Sequence, residues 1–502
     1  MADRFLRIKN TEPAEFSAVP VLDIGAFVDY STTSVSRGRR ISAFFGIPEG
    51  DKTRLVIVLA NDSENYLEIA STKVGDTYPS LTPMCPSAHI FEREIFEQYG
   101  VQPSGHPWLK PVRFPKKNRQ TGINASQKQL IGAIDFFKVH GDEIHEVAVG
   151  PVHAGIIEPG HFRFQCWGET VFHLEISLGY QHRGIEKRIC EGYPHRTIHY
   201  METLAGDTTI GHTTAYCHAL ESLCNASAPP RAQALRAIAL ELERLANHTG
   251  DLGALAGDVG FLPTASYCGR IRGDFLNMTA LLCGNRFGRG YIRPGGINFN
   301  LTQEETDTLR KRLEAARADV CGAVNLLWDT SSVRARFENA GFLTREDAVN
   351  LGLVGIAARA CGIEQDVRRD HPYGQYRFSQ IPISTHPHGN VFSRAFVRWR
   401  EIERSINFIL ETLQSLPEGA HKSKQIESLK PDSIVVSMVE GWRGEICHVA
   451  LTDKNGNLKF YKVIDPSFHN WTGLAMALRN QQISDFPLCN KSFNLSYCGY
   501  DL

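Results

Sequence analysis

Three long stretches limit what this chain can fold into. Residues 232–248, 304–328 and 396–413 are rich in Ala, Leu and other strong helix formers. Each carries apolar side chains at 3.6-residue spacing, so each reads as a helix with one apolar face that must be buried against another element. Strand-like runs bracket them. Residues 147–149, 161–167 and 171–176 come before, and 433–438, 446–451 and 458–464 after. Asn455-Gly456 is a turn signal that joins the last two strands as a hairpin. The expected fold class is α+β, a helical domain with sheet at its start and end.

A smaller α/β domain precedes it, over residues 1–115. Leu55 to Ala60 and Tyr66 to Ala70 have strand length, and Pro79, Pro83 and Pro86 mark a loop. Ile90, Phe91, Ile95, Phe96 and Tyr99 then recur at helical spacing up to a C-cap at Gly100. Taken alone, the Glu92-Arg93-Glu94 triplet reads as the charged side of an amphipathic surface helix. Residues 116–145 read as a connector, polar and basic at its start and apolar from Leu130 to Val139, and residues 146–502 as the second domain.

With 502 residues the chain can bury more than one core, and 42% hydrophobic against 22% charged residues fits an ordinary globular protein. Lys+Arg 54 against Asp+Glu 55 leaves no nucleic-acid footprint and no polybasic membrane anchor. No apolar run reaches spanning length, and Met1 to Arg7 lacks the apolar core of a signal peptide. The expected location is therefore cytoplasmic, with any membrane contact made through partners. Of 12 cysteines, no pair has Cys-x-x-Cys spacing, which argues against a zinc or iron–sulfur site held by this chain alone.

The chemistry-bearing segment is His182-Arg-Gly-Ile-Glu-Lys187 followed by Leu204-Ala-Gly-Asp-Thr-Thr-Ile-Gly-His-Thr-Thr-Ala-Tyr216. It resembles the amino-terminal active-site segment of nickel–iron hydrogenase large subunits, and equally the quinone-site subunit of respiratory complex I. Further matches follow in order: Arg293-Pro-Gly-Gly296, Arg359-Ala-Cys-Gly362, Asp366-Val-Arg368, Pro372-Tyr373, Arg443-Gly-Glu445 and Asp465-Pro-Ser-Phe-His-Asn470. In the small domain, Glu92-Arg93-Glu94 and Gly105-His106-Pro107 resemble the small peripheral-arm subunit of complex I. The two fused together resemble large subunits of formate-hydrogenlyase-type membrane hydrogenases. The resemblance runs from about residue 75 to the end.

In the hydrogenases four cysteines hold the metal. Two lie seven and four residues before the histidine that His212 matches, where this chain has Ala205 and Thr208. The carboxy-terminal pair falls on Ser496 and Gly499, with Cys498 one residue out of place. Nickel in such sites needs soft thiolate ligands, so the resemblance implies a metal-site scaffold without its ligands and no cofactor bound by this chain.

The resemblance also assigns roles. Glu186 matches a glutamate that takes protons from the metal, and Arg443 an arginine overhanging it. Asp258, ten residues beyond His248, matches the start of a complex I proton route, with Asp251 a nearby competitor and a turn aspartate the plain alternative. His153, His212 and Tyr216 match positions around a quinone headgroup; His153 also reads as a turn histidine and Tyr216 as a helical core residue. The implied partners are an iron–sulfur small subunit with its clusters, a ferredoxin-like subunit, and antiporter-like and helical-anchor membrane subunits. The implied place is the cytoplasmic side of the inner membrane. Two functions follow: coupling an electron-transfer arm to ion-translocating subunits, or binding and reducing a quinone or another small acceptor.

Overall fold

The computed structural model describes residues 5–115, 132–154, 157–191, 194–423 and 428–502. The chain opens with β1 (Leu6–Ile8), β2 (Ala14–Glu15) and β3 (Val21–Leu22). Asp23 caps the following α1 (Ile24–Ser36) by accepting from Ala26 N–H at 3.0 Å. Then β4 (Arg40–Glu49), β5 (Lys52–Asn61) and β6 (Tyr66–Val74) make an antiparallel meander. The sheet order is β1-β6-β5-β4, with β3 parallel beside β6.

Both faces of this sheet are covered. Phe44 of β4 meets Phe27 of α1, while Phe45 meets Phe460 from far down the chain at 5.1 Å between ring centroids. That explains why Leu55 to Ala60 is apolar without alternation: every one of these side chains is buried. A short parallel pair, β7 (Thr77–Pro79) and β8 (Gln102–Ser104), flanks α2 (His89–Tyr99), which ends at Gly100 in the left-handed conformation, φ 72°.

The charged triplet on α2 is not a surface feature. Glu92 is fully buried and accepts from Leu81 N–H (2.8 Å), Thr82 Oγ1 (2.5 Å) and Ser80 Oγ (2.6 Å). Arg93 donates to the carbonyls of Lys110 and Pro111. Glu94 pairs with Arg113 and with Lys462 of the carboxy-terminal sheet, the latter at 2.6 Å. Buried charges need such partners, so the surface-helix alternative is overturned.

Most of the connector, residues 116–131, lies outside the described residues. The second part begins with β9 (Ile144–Val149), β10 (His161–Trp167) and β11 (Thr170–Ser177), in order β11-β10-β9. Helices α3 (Ile185–Glu191), α4 (Pro194–Glu202), α5 (Thr209–Leu223), α6 (Pro230–Asp258) and α7 (Leu262–Cys283) follow. The pair β12 (Ile292–Arg293) and β13 (Gly296–Ile297) leads to α8 (Gln303–Asp329), which starts in a capping box between Thr302 and Glu305. Four short helices come next: α9 (Ser331–Glu338), α10 (Arg345–Asn350), α11 (Gly355–Arg359) and α12 (Val367–Asp370). The long α13 (Val391–Gln414) closes the bundle.

The three expected helices are thus present and extended at their ends; α7 was not anticipated. Helix α6 is the axis, buried through most of its length from Ala232 to Ala256 between α5, α7 and α13. Strands β14 (Ser433–Glu440), β15 (Glu445–Thr452) and β16 (Leu458–Ile464) form the final sheet, and α14 (Pro466–Ala477), α15 (Phe486–Phe493) and α16 (Tyr497–Asp501) end the chain. The sheet order β16-β15-β14-β2 includes a strand from residues 14–15. The amino-terminal segment therefore crosses the expected boundary and completes the carboxy-terminal sheet. Among the described residues, no helix is long and apolar enough to cross a membrane.

Candidate functional site

The site forms where the loop before α5, the turn between β14 and β15, and the carboxy terminus meet. Arg183 ties two of these together. Its guanidinium donates to the carbonyls of Thr203 (2.8 Å), Leu204 (2.9 Å) and Cys498 (3.0 Å). Arg443 ties the third. It grips both Asp207 oxygens, at 2.6 and 2.7 Å, and donates from Nε to the Asn494 carbonyl at 2.6 Å. Its guanidinium lies over the Trp442 ring, whose Nε1 donates to the Asp207 carbonyl and to Thr208 Oγ1. Residues 205–208 and 496–499 are thereby held beside each other along a hydrogen-bonded seam.

Asp465 stands at its centre. One carboxylate oxygen caps α14 through Ser467 N–H at 2.7 Å, as expected of an aspartate just before a helix-starting proline. The other meets His212 Nε2 at 3.1 Å. His212 Nδ1 lies 3.1 Å from His448 Nε2, and His448 Nδ1 lies 2.8 Å from the Tyr461 hydroxyl. Burial pushes the Asp465 carboxyl up, but the His212 bond and nearby Arg443 outweigh it and hold it below the ordinary range. Burial, with His212 adding to it, holds His448 neutral. With Asp465 ionised and both imidazoles neutral, one proton assignment satisfies every contact: Tyr461 donates to His448, His448 to His212, and His212 to Asp465.

The four positions matched to metal ligands lie along this seam. Ala205 presents a methyl group and accepts from Thr208 N–H through its carbonyl. Thr208 Oγ1 donates to Asp207 and accepts from Trp442. Ser496 Oγ caps α16 by accepting from Gly499 N–H at 2.9 Å. A Cβ on Gly499 would lie 2.7 Å from Asp465 Oδ2 and 2.9 Å from Ser496 Oγ, too close for either to stay. Nearby, burial pushes the Cys498 thiol up to about 12, with Glu158 adding to it, so it stays protonated at neutral pH. Among the described residues, no three His, Cys, Asp or Glu side chains are grouped to hold a metal ion.

The other sequence-derived residues are placed apart. Glu186, in the first turn of α3, accepts from Lys462 Nζ and from Val463 N–H, each at 3.0 Å, on the outer side of β16. It ends a chain of ion pairs, Arg113–Glu94–Lys462–Glu186, whose first three members are buried and which joins the two domains. It also lines a cleft of about 1030 Å³ with Arg183, Lys187 and Tyr99. His153 donates from Nε2 to the Gly160 carbonyl at 3.0 Å and packs against Phe162; the adjoining Gly155 and Ile156 lie outside the described residues. Tyr216 is 3% exposed, with Tyr461 at 6.0 Å between ring centroids, and burial raises its hydroxyl pKa. Among the described residues no hydrogen bond or ring contact joins His153 to Tyr216. Asp258 is exposed at the last residue of α6, whereas Asp251 is buried, pairing with Arg398 at 2.7 Å and accepting from Asn494 Nδ2 at 2.5 Å. His248 turns instead to Glu401, at 2.9 Å.

Sequence reasoning did not single out Asp207, His448, Tyr461 or Asp465 as a set. Two signals were available: His448 is a lone polar residue inside the apolar run of β15, and Asp465-Pro466 is a helix-start pattern.

Comparison with known proteins agrees with this architecture. Residues 258–433 match the family "Respiratory-chain NADH dehydrogenase, 49 Kd subunit" and residues 28–121 the family "Respiratory-chain NADH dehydrogenase, 30 Kd subunit". The chain belongs to the complex I and hydrogenase large-subunit family, with the two modules fused in one polypeptide. Its relatives include hydrogenase components and NADH-quinone oxidoreductase subunits, the latter both as separate D subunits and as C/D fusions. It is 31% identical over 351 residues to the carbon monoxide-induced hydrogenase of Rhodospirillum rubrum, covering 70% of this chain and 97% of that one. It is 30% identical over 436 residues to formate hydrogenlyase subunit 5 of Escherichia coli, covering 84% and 76%. It is 26% identical over 478 residues to the C/D component of the NADH-quinone oxidoreductase of Bacteroides fragilis, covering 88% and 87%.

Proposed function

We propose that this chain is a nickel-free peripheral subunit of a membrane-bound, hydrogenase-related complex. In this reading it couples an iron–sulfur electron-transfer arm to ion-translocating membrane subunits. One observation carries it: the Asp465 carboxylate, bonded to His212, occupies the space beside Gly499. A nickel site of the family kind needs four thiolates. The four matched positions supply a methyl, two hydroxyls already engaged in protein hydrogen bonds, and a hydrogen atom. That donor set does not fit nickel.

The seam instead offers a connection. Residues from α5, the β14–β15 turn, α14 and α16 are held by charge-assisted bonds that transmit displacement among packed elements. The second reading, reduction of a quinone or similar acceptor in the same place, calls for Tyr216 to face an open space. It packs instead beside Tyr461.

The test is metal analysis of the chain purified with its partner subunits, from cells able to mature nickel enzymes. Background nickel and no hydrogen uptake are expected; one nickel per chain overturns the proposal. Replacing Tyr216 by Phe separates the two readings. An unchanged quinone-reduction rate supports coupling, and a large loss in rate with the fold intact supports the acceptor reading.

A further inference from the structure

A second polar cluster lies behind the β14–β15 turn, sealed from solvent. Its carboxylates are Glu241, Asp366, Glu401 and Glu440, none more than 4% exposed. Its guanidiniums are Arg244, Arg359 and Arg368, none more than 5% exposed, and the fully buried His248 completes it. Arg359 pairs with Glu440 (2.8 Å) and Glu401 (3.0 Å), and Arg368 with Asp366 (2.6 Å) and Glu241 (3.1 Å). Arg244 pairs with Glu241 at 3.0 Å and approaches Glu401 at 3.4 Å. Four acids thus face three guanidiniums. An unbalanced charge in a dry site is costly, and the usual remedy is to bind a proton.

Two groups could take it. His248 donates from Nε2 to Glu401, its Nδ1 has no partner among the described residues, and burial favours its neutral form. Glu440 accepts from Arg359 on one oxygen and from Val367 N–H on the other. It is faced by Arg359 of α11, by Asp366 at the N-cap of α12 and Arg368 within it, by Arg244 of α6, by Tyr373, whose hydroxyl accepts from the Glu440 N–H at 3.0 Å, and across the sheet by Glu445, which pairs with Arg40 of β4. Burial and then repulsion from Asp366 raise its pKa to about 7.

The turn that follows Glu440 leads directly to the seam. Arg244 donates to the carbonyls of Glu440 (2.7 Å) and Gly441 (3.0 Å), and the next two residues are Trp442 and Arg443. Trp442 meets His248 edge-on at 6.1 Å between ring centroids.

We propose that this cluster is a proton-binding site holding one exchangeable proton on Glu440, and that the Glu440–Glu445 turn carries its loss to the Arg443–Asp207 clasp. Releasing the proton leaves four carboxylates against three guanidiniums and strengthens the pull on Arg359 and Arg244. Arg244 also holds the turn's backbone, so a changed pull on its guanidinium reaches the turn directly. This stands independently of the coupling role, because it needs only this chain's own residues.

Infrared difference spectroscopy of the full-length chain, titrated from mildly acidic to mildly alkaline pH, tests the proposal. A protonated-carboxyl band lost with a midpoint near 7 is expected, and Glu440→Gln should remove it while the contribution of Glu243, pushed up to about 8, remains. Glu241→Gln should remove the same band, because three acids then balance three guanidiniums and Glu440 ionises. Survival of the band in either variant overturns the proton-binding site. Trp442 emission, taken as the difference between wild type and Trp442→Phe, should shift with the same midpoint; a flat difference overturns the turn's part in it.

Discussion

Gly499→Ala is the sharpest perturbation of the seam, because a single methyl group enters space held by Asp465. The new Cβ would sit 2.7 Å from Asp465 Oδ2 and 2.8 Å from its Cγ, well inside ordinary contact. The carboxylate cannot simply swing away, since one oxygen caps α14 and the other holds His212, all within a buried region. Displacing it gives up a charge-assisted bond worth about 1.5–3 kcal/mol, and overpacking costs a further ~1–3 kcal/mol. Some of the strain relaxes, so a loss of about 3 kcal/mol is expected. Asp465→Ala alone removes the His212 partner and the helix cap, again roughly 2–3 kcal/mol. With both residues as alanine the clash is gone. The double variant should then resemble Asp465→Ala, giving a coupling of about 3 kcal/mol, the whole Gly499→Ala loss, between the two sites. Denaturant unfolding of the full chain, following the first cooperative transition, measures this. A Gly499→Ala protein within about 0.5 kcal/mol of wild type, or strictly additive losses, would refute the claim that Asp465 fills that space.

Other consequences are equally open to measurement. Glu94→Ala leaves Arg113 and Lys462 as buried cations short of a partner, so a loss on the order of 3–5 kcal/mol is expected, with earlier proteolysis between the two modules; unchanged proteolysis and stability would count against a shared buried chain. The Glu243 carboxyl, buried and next to Asp207, is raised from 4.5 to about 8 although it accepts from Ile210 and Gly211 N–H. The folded state therefore binds more protons than the unfolded state between those values, and stability falls as pH rises through that window. Glu243→Gln should flatten that slope, and an unaltered slope argues against the assignment. Arg359→Met leaves four carboxylates facing two guanidiniums and should unfold the α11–β14 region first, seen as selective hydrogen exchange there; uniform exchange would weigh against it.

Much of the fold was legible because it is written locally. Residues 232–248, 304–328 and 396–413 repeat apolar side chains at helical spacing, and helices formed there whatever they packed against. The Asn455-Gly456 signal likewise sits between β15 and β16, with Gly456 at φ 77°. The status of α2 was not local. Its charges read equally well as a solvated face, and only Lys462, 368 residues away from Glu94, decides that they are buried. Asp258 and Asp251 show the same limit. Once α6 is one continuous helix, Asp251 is three residues from His248 and on its side, whereas Asp258 falls at the exposed end.

The sequence by itself determined the family, the two fused modules, the periodic elements and the absence of thiols at Ala205, Thr208, Ser496 and Gly499. These depend on residue identity and short-range spacing, which a linear string contains. Tertiary structure alone decided what stands beside those positions. Asp465, His212, His448 and Tyr461 come from one helix, two strands and a helix cap, and no spacing rule relates them. Their partnership arises because packing buries all four side chains, and there each proton and charge must find a partner from wherever in the chain one is available.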